Sequence, residues 1–204
     1  LERTLALESH NPEDDEAVHW LYVDSKGRTK NTRLDPATVT IVQAVADYFN
    51  GEVLTGQGEI DIFATRGNKI QIILYAEYLL DQLLVDLKKA KKEQVFPDRC
   101  FNYSFRKVWA AQVAYRLHNM KVEERNEGTV INNVQVSGLA LQNKDQKEKQ
   151  TSLALRKKKY PRVGTRGGYT MSGGQGATSG SNYGSNVGLN RQVSGRAAYR
   201  LGGS

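Results

Sequence analysis

The chain has 204 residues, 39% of them hydrophobic, enough for one domain or two small ones. Lys and Arg outnumber Asp and Glu by 29 to 22, and the single cysteine, Cys100, excludes an internal disulfide. No apolar run approaches the ~18 residues of a membrane span and no secretory leader pattern is visible, so a soluble cytoplasmic protein without a membrane partner is expected.

Leu1 to Leu7 reads as the end of a helix. Asn11-Pro12-Glu13 supplies a cap, a proline at the first helical position and an acid in the first turn, which predicts a short helix through Trp20. Asp24 to Gly27 is turn chemistry, and Gly27 to Arg33 is a polar, basic loop. Residues 1–34 are therefore expected as an N-terminal helical segment and loop, and residues 35–204 as an α+β domain with a basic, Gly-rich end. Asp35-Pro36 opens a clearer helix, in which Val39, Val42, Val45, Ala46 and Phe49 share one face and Asn50-Gly51 is the stop. Val53-Leu54 reads as a short strand. Glu59 to Thr65 alternates Ile60, Ile62 and Ala64 with polar neighbours, Arg66-Gly67-Asn68 reads as a turn, and Lys69 to Leu74 is β-rich, which together predict a hairpin.

Tyr75 to Glu93 predicts a long helix with Ala76, Leu79, Leu80, Leu83, Leu84 and Leu87 as its apolar stripe. Its final lysines, Lys88, Lys89, Lys91 and Lys92, suit the negative end of the helix dipole. Beyond Pro97, Phe101 to Asn119 predicts another helix, with Phe105, Trp109, Val113 and Leu117 spaced by four. Val130 to Leu141 has strand-like stretches interrupted at Asn132-Asn133. Gln142 to Gln150 is almost all charged or amide, which reads as a solvated helix or a linker. The expected fold class is α+β: a small antiparallel sheet or hairpin, two long helices packed on it, and a Gly-rich C-terminal helix.

The C-terminal part changes character. Lys149 to Ser204 holds ten of the basic residues and no Asp or Glu, so the formal charge of +7 divides into a body near −3 and a tail of +10. Positive charge gathered in this way favours a polyanionic partner, with nucleic acid first. Arg156, Lys157, Lys158 and Lys159, with Tyr160, Arg162 and Arg166 and the more distant Arg191, are the candidate contacts. The cations neutralise phosphates, and Tyr160 is an aromatic able to stack on a base. Nothing points to base-specific readout. Gly176, Gly180, Gly184 and Gly188 recur every four residues. In a helix they form one smooth face that another helix or a phosphate backbone can approach closely, although each glycine costs about 0.8–1.0 kcal/mol against alanine. That face gives an alternative reading, a protein–protein interaction or assembly protein, with a homo-oligomer as one form.

Several of these stretches resemble a family of uncharacterised bacterial and phage proteins, a domain of unknown function. They are Leu5-Ala6-Leu7 with Asn11-Pro12 and Glu16-Ala17, then Ile72 to Leu79, then Phe105-Arg106 before Arg116-Leu117, and above all Gly180 to Val193. The resemblance implies a short N-terminal helical module, a larger C-terminal domain, and a folded helix over Ser172 to Asn186 leading into a Leu-Asn-Arg strand. It implies a bacterial host cell and supplies no catalytic residues.

Gly58 to Ala64 followed by Arg66-Gly67 looks like the opening of a restriction-type nuclease core, where an Asp on one strand and a Glu-x-Lys on the next hold a metal. The following stretch reads Lys69-Ile70-Gln71-Ile72-Ile73-Leu74-Tyr75, apolar where the Glu and Lys belong, which leaves a metal-dependent nuclease with a degenerate site as a third reading. His10, His19 and His118 lack metal-ligand spacing, and Gly164 to Gly168 lacks the Lys-Ser/Thr of a phosphate loop. The favoured reading is a non-enzymatic nucleic-acid-binding accessory protein, on DNA rather than RNA, without sequence specificity and with no cofactor.

Overall fold

The computed structural model describes residues 17–22, 34–56, 59–94, 100–127, 129–131, 134–136, 138–161 and 174–189. Within them the chain is α+β. Strand β1 is Ala17–Tyr22, helix α1 Pro36–Tyr48, β2 Glu52–Thr55, β3 Ile60–Thr65, α2 Arg66–Glu93 and α3 Phe101–Glu127. A small hairpin follows, β4 Thr129–Ile131 and β5 Val134–Val136, then α4 Gly138–Lys159 and α5 Gln175–Asn186. The main sheet is antiparallel in the order β1-β3-β2.

Two elements differ from expectation. Ala17–Tyr22 is a strand, not the end of a helix, and it pairs antiparallel with β3 from Ala17 opposite Thr65 to Tyr22 opposite Ile60. Part of the segment expected as a separate helical module thus supplies an edge of the domain's sheet. The hairpin partner of β3 is β2, with Glu52 opposite Phe63 and Thr55 opposite Ile60. Lys69 to Leu74, expected as its second strand, is the start of α2. The burial decides between the two periods: Ile70, Ile72 and Leu74 would share one strand face, yet Ile72 is 0% and Ile70 58% exposed. Ile72 instead continues the helical row of Tyr75, Ala76, Leu79 and Leu83, all buried.

Helix α1 opens as its sequence requires, with Pro36 in the first turn after Asp35. The Asp35 carboxylate pairs with Arg106 of α3, which ties the two helices together. At the other end, Asn50 takes the left-handed conformation (φ 59°). The Gly51 N–H donates to the Ala46 carbonyl (2.7 Å) and the Asn50 N–H to that of Asp47 (3.3 Å), a Schellman closure with asparagine in the left-handed place. Gly51 is small for another reason: a Cβ there would meet Ile72 Cδ1 at 3.0 Å and the Phe63 carbonyl oxygen at 3.2 Å.

Ile60, Ile62 and Ala64 of β3 join the core formed by α1, α2 and α3, where Phe101, Phe105, Trp109, Val113 and Leu117 are fully buried. The alternate residues of β3 face α4, which packs along all three strands. The buried indole N–H of Trp109 donates to the Asp86 carboxylate at 3.0 Å, so the polar atom of the largest core side chain is satisfied.

The Gly-rich helix α5 docks along α3. Gly176, Gly180 and Gly184 are its buried face, seated on the backbone of Phe101, Phe105 and Trp109. The expected row is one glycine shorter, since Gly188 lies past the helix end with nothing within 4 Å of its missing Cβ. Ser172 and residues from 190 onward, including Asn190 and Arg191 of the expected Leu-Asn-Arg strand, lie outside the described residues. Arg116 of α3 donates to the Gly184 and Val187 carbonyls (2.9 and 2.7 Å), capping carbonyls that a helix end leaves without partners. Among the described residues, no helix is long and apolar enough to cross a membrane.

Two tyrosines hold the α5 region by their hydroxyls. Tyr75 is buried and donates to the Leu189 carbonyl at 2.7 Å. Burial, more than any neighbouring charge, pushes its pKa above the ordinary tyrosine value. Tyr183 donates to Glu93, and that hydrogen bond raises its pKa to about 12. Both groups favour folding only while protonated. Their contribution is therefore complete below the unfolded tyrosine pKa of ~10 and lost as pH climbs through the raised folded values. Denaturation midpoints should fall between pH 10 and about 12, and the double substitution Tyr75→Phe with Tyr183→Phe should flatten that fall.

Candidate nucleic-acid interface

Helix α4 has an unusual inward stripe. Asp145, Glu148, Ser152 and Arg156 are buried or half-buried polar positions recurring every three or four residues, while Lys147, Lys149 and Lys157 to Lys159 are exposed. Polar contacts of Asp145 and Glu148 help hold the helix on the body, which is why the composition of Gln142 to Gln150 resembles a linker.

Its last turn carries the predicted cluster. The Arg156 guanidinium lies 3.3 Å from the Glu52 carboxylate of β2, with 23% and 16% of the two side chains exposed. Tyr160 follows the helix and packs edge-on against Phe63 of β3, with ring centroids 6.1 Å apart. Its hydroxyl donates a long, shared hydrogen bond to the two Asp61 carboxylate oxygens, 3.4 Å to each. Partial desolvation, then the charges of Asp61 and Glu59, raise the Tyr160 pKa above the usual tyrosine range. Lys159 lies 5.7 Å from the centre of the Tyr160 ring, a cation–π distance.

The cluster therefore divides. Arg156 and Tyr160, predicted as a phosphate contact and a stacking ring, are occupied by Glu52, Asp61 and Phe63 and fasten the helix end to the sheet. Lys157, Lys158 and Lys159 project from that fastened end and are exposed. Arg162, Arg166 and Arg191 lie outside the described residues. Sequence reasoning placed Asp61 in a stretch resembling a nuclease core and gave Glu52 no role. Alternation along β3 does put Asp61 and Phe63 on one face, but no local signal shows that α4 returns across it.

A second basic group, Lys88, Lys89, Lys91 and Lys92, is exposed at the far end of α2. That helix has 28 residues, roughly 40 Å at ~1.5 Å per residue, and it starts directly after β3. Lys91 and Lys92 lie in its last turn, where cations offset the helix dipole. The stretch on which a nuclease-type Glu-x-Lys strand would fall is the first turns of α2. Among the described residues, no group of three His, Cys, Asp or Glu side chains is placed to hold a metal ion.

The glycine face of α5 is taken up within the chain by α3, so those three glycines are not offered to a partner or a phosphate backbone. Comparison with known protein families, with characterised proteins and with solved structures finds no match.

Proposed function

We propose that the chain is a non-enzymatic nucleic-acid-binding protein that neutralises backbone phosphates, on DNA and without sequence readout, through the lysines at the end of α4 and the basic chain beyond it. One observation carries this reading. Three consecutive exposed lysines stand on a helix end that Arg156 and Tyr160 fasten to the sheet, and from Lys149 onward no acidic residue offsets them in sequence. A fixed array of cations loses less freedom on meeting a polyanion than a flexible one. Lysine ammonium groups neutralise phosphates without a fixed donor–acceptor pattern for a base edge, so affinity is expected to follow salt rather than sequence.

The test is DNA binding by fluorescence anisotropy across salt. Replacing Lys157, Lys158 and Lys159 together by alanine should weaken duplex binding and reduce the slope of log K against log salt by about 2–3, close to 0.9 per phosphate contact. The fold should remain, since these positions are exposed and their interaction with the helix dipole is worth no more than about 1 kcal/mol. Absence of binding by the intact chain at low salt refutes the reading.

A further inference from the structure

The register of the sheet places Glu52 opposite Phe63 and Leu54 opposite Asp61. Glu52, Asp61 and Phe63 therefore share the face on which the end of α4 rests. Glu59, two residues before Asp61, acts with it on the Tyr160 hydroxyl. An acidic face thus lies under the most basic run of the chain.

The contact between them is an arginine on a carboxylate. A guanidinium meets a carboxylate and a phosphate with the same fork of N–H donors, so one can replace the other without rearranging the arginine. The pair is also reachable, at the margin of the sheet, with about a fifth of each side chain exposed to solvent.

We propose that Arg156 exchanges partners: Glu52 holds it in the free protein, a backbone phosphate takes it in the complex, and Glu52 thereby restrains nucleic-acid affinity. This rests on the phosphate-binding role of the neighbouring lysines. In the exchange the ion pair opens, Arg156 neutralises a phosphate, and Glu52 is left as an uncompensated acid beside a polyanion, which lowers affinity. The device keeps the helix end folded and its charge partly neutralised until a strong polyanion competes.

The experiment is a double-mutant cycle on duplex DNA binding, read at low salt and at about 0.15 M. Glu52→Gln should tighten binding by about 5–10-fold without changing the salt slope. Arg156→Gln should weaken binding and reduce the slope by about 0.9. The Glu52→Gln gain should be clearly smaller in the Arg156→Gln background, where only the repulsion by Glu52 is left to relieve. A gain undiminished there is general repulsion by Glu52 alone and overturns the exchange. Unchanged or weaker binding by Glu52→Gln, with lysine-dependent binding intact, also overturns it while leaving the phosphate-binding reading standing. Failure of the intact chain and every variant to bind at low salt overturns both. A second measurement needs no folded Glu52 variant. The Arg156 side-chain N–H signal, followed by NMR during DNA titration, should move as the partner changes, and a signal that stays fixed while DNA is bound overturns the proposal.

Discussion

Gly180→Ala should release α5 from α3 and lower the stability of the domain by about 2–3 kcal/mol. Helix propensity argues the other way, since alanine in place of a mid-helix glycine is worth about 0.8–1.0 kcal/mol. Geometry decides the sign. A Cβ at Gly180 would stand 2.5 Å from the Phe105 carbonyl oxygen and 3.1 Å from its carbonyl carbon and Cα. All three are backbone atoms of α3, around which Phe105 and Trp109 are fully buried, so neither side can give way locally. The helix must lift, and lifting exposes the Tyr183–Phe105 ring contact and the Arg116 cap. Gly176→Ala meets the Phe101 carbonyl oxygen at 2.4 Å and should behave alike. Gly188→Ala, with nothing within 4 Å, should be near neutral, and Ser185→Ala on the exposed side of α5 should be neutral or mildly stabilising. Urea denaturation and limited proteolysis after Lys159 read these differences. A Gly180→Ala chain as stable as the parent would show that the close approach is not what seats α5.

The glycine spacing was legible because it acts through a local rule: four residues apart is one helix face, and a face without side chains needs a close neighbour. What the sequence did not disclose is the identity of that neighbour. The Phe101, Phe105, Trp109 series on α3 carries the matching period, yet nothing local pairs two helices so far apart in the chain. The misread stretch, Lys69 to Leu74, shows the reverse limit. Its isoleucines favour strand locally, and a run of six residues cannot separate period two from period 3.6. Only the continuation through Tyr75, Leu79 and Leu83 does so, and reading Arg66-Gly67-Asn68 as a turn made the six residues a hairpin strand instead of the start of that row. At Ala17–Tyr22 a capping signal upstream outweighed a short run of β-forming residues, His19 to Tyr22. For the candidate site, charge placed the lysines but not their anchors, because Glu52 and Asp61 meet α4 through tertiary contacts with no sequence period. The whole of α4 was obscure for the same physical reason: its inward stripe is polar, and hydrophobic periodicity is blind to a helix held by carboxylates and amides.

That polar stripe makes Asp145→Ala the other large effect, a loss of about 2–3 kcal/mol, since Arg125 is 34% exposed and regains part of its hydration. Asp145 is 5% exposed. One of its oxygens accepts from Asn50 Nδ2 at 2.7 Å and the other pairs with Arg125 Nε at 3.0 Å. The second hydrogen of the same Asn50 amide goes to Glu148 at 2.8 Å, while Asn68 donates to Glu148 and to the Phe49 carbonyl, each at 2.9 Å. Lys121, 7% exposed, donates to Asn50 Oδ1 at 2.6 Å and to the Asp47 carbonyl. Two carboxylates and the cations Lys121, Arg125 and Lys144, the last 3.6 Å from Glu148, thus surround two amides, and the left-handed Asn50 that closes α1 is also the hub that receives α4. Removing the Asp145 carboxylate leaves an Asn50 amide hydrogen and the Arg125 guanidinium without that acceptor. Breaking one partner of a buried pair costs more than replacing both, because the survivor stays desolvated and uncompensated. Lys121→Met alone should therefore destabilise by a comparable amount, and the double variant Asp145→Ala with Lys121→Met by clearly less than the sum. Chemical denaturation of the four chains measures that coupling. If the two losses simply add, the residues do not act as one coupled cluster, and α4 must be held chiefly by its contacts with the sheet.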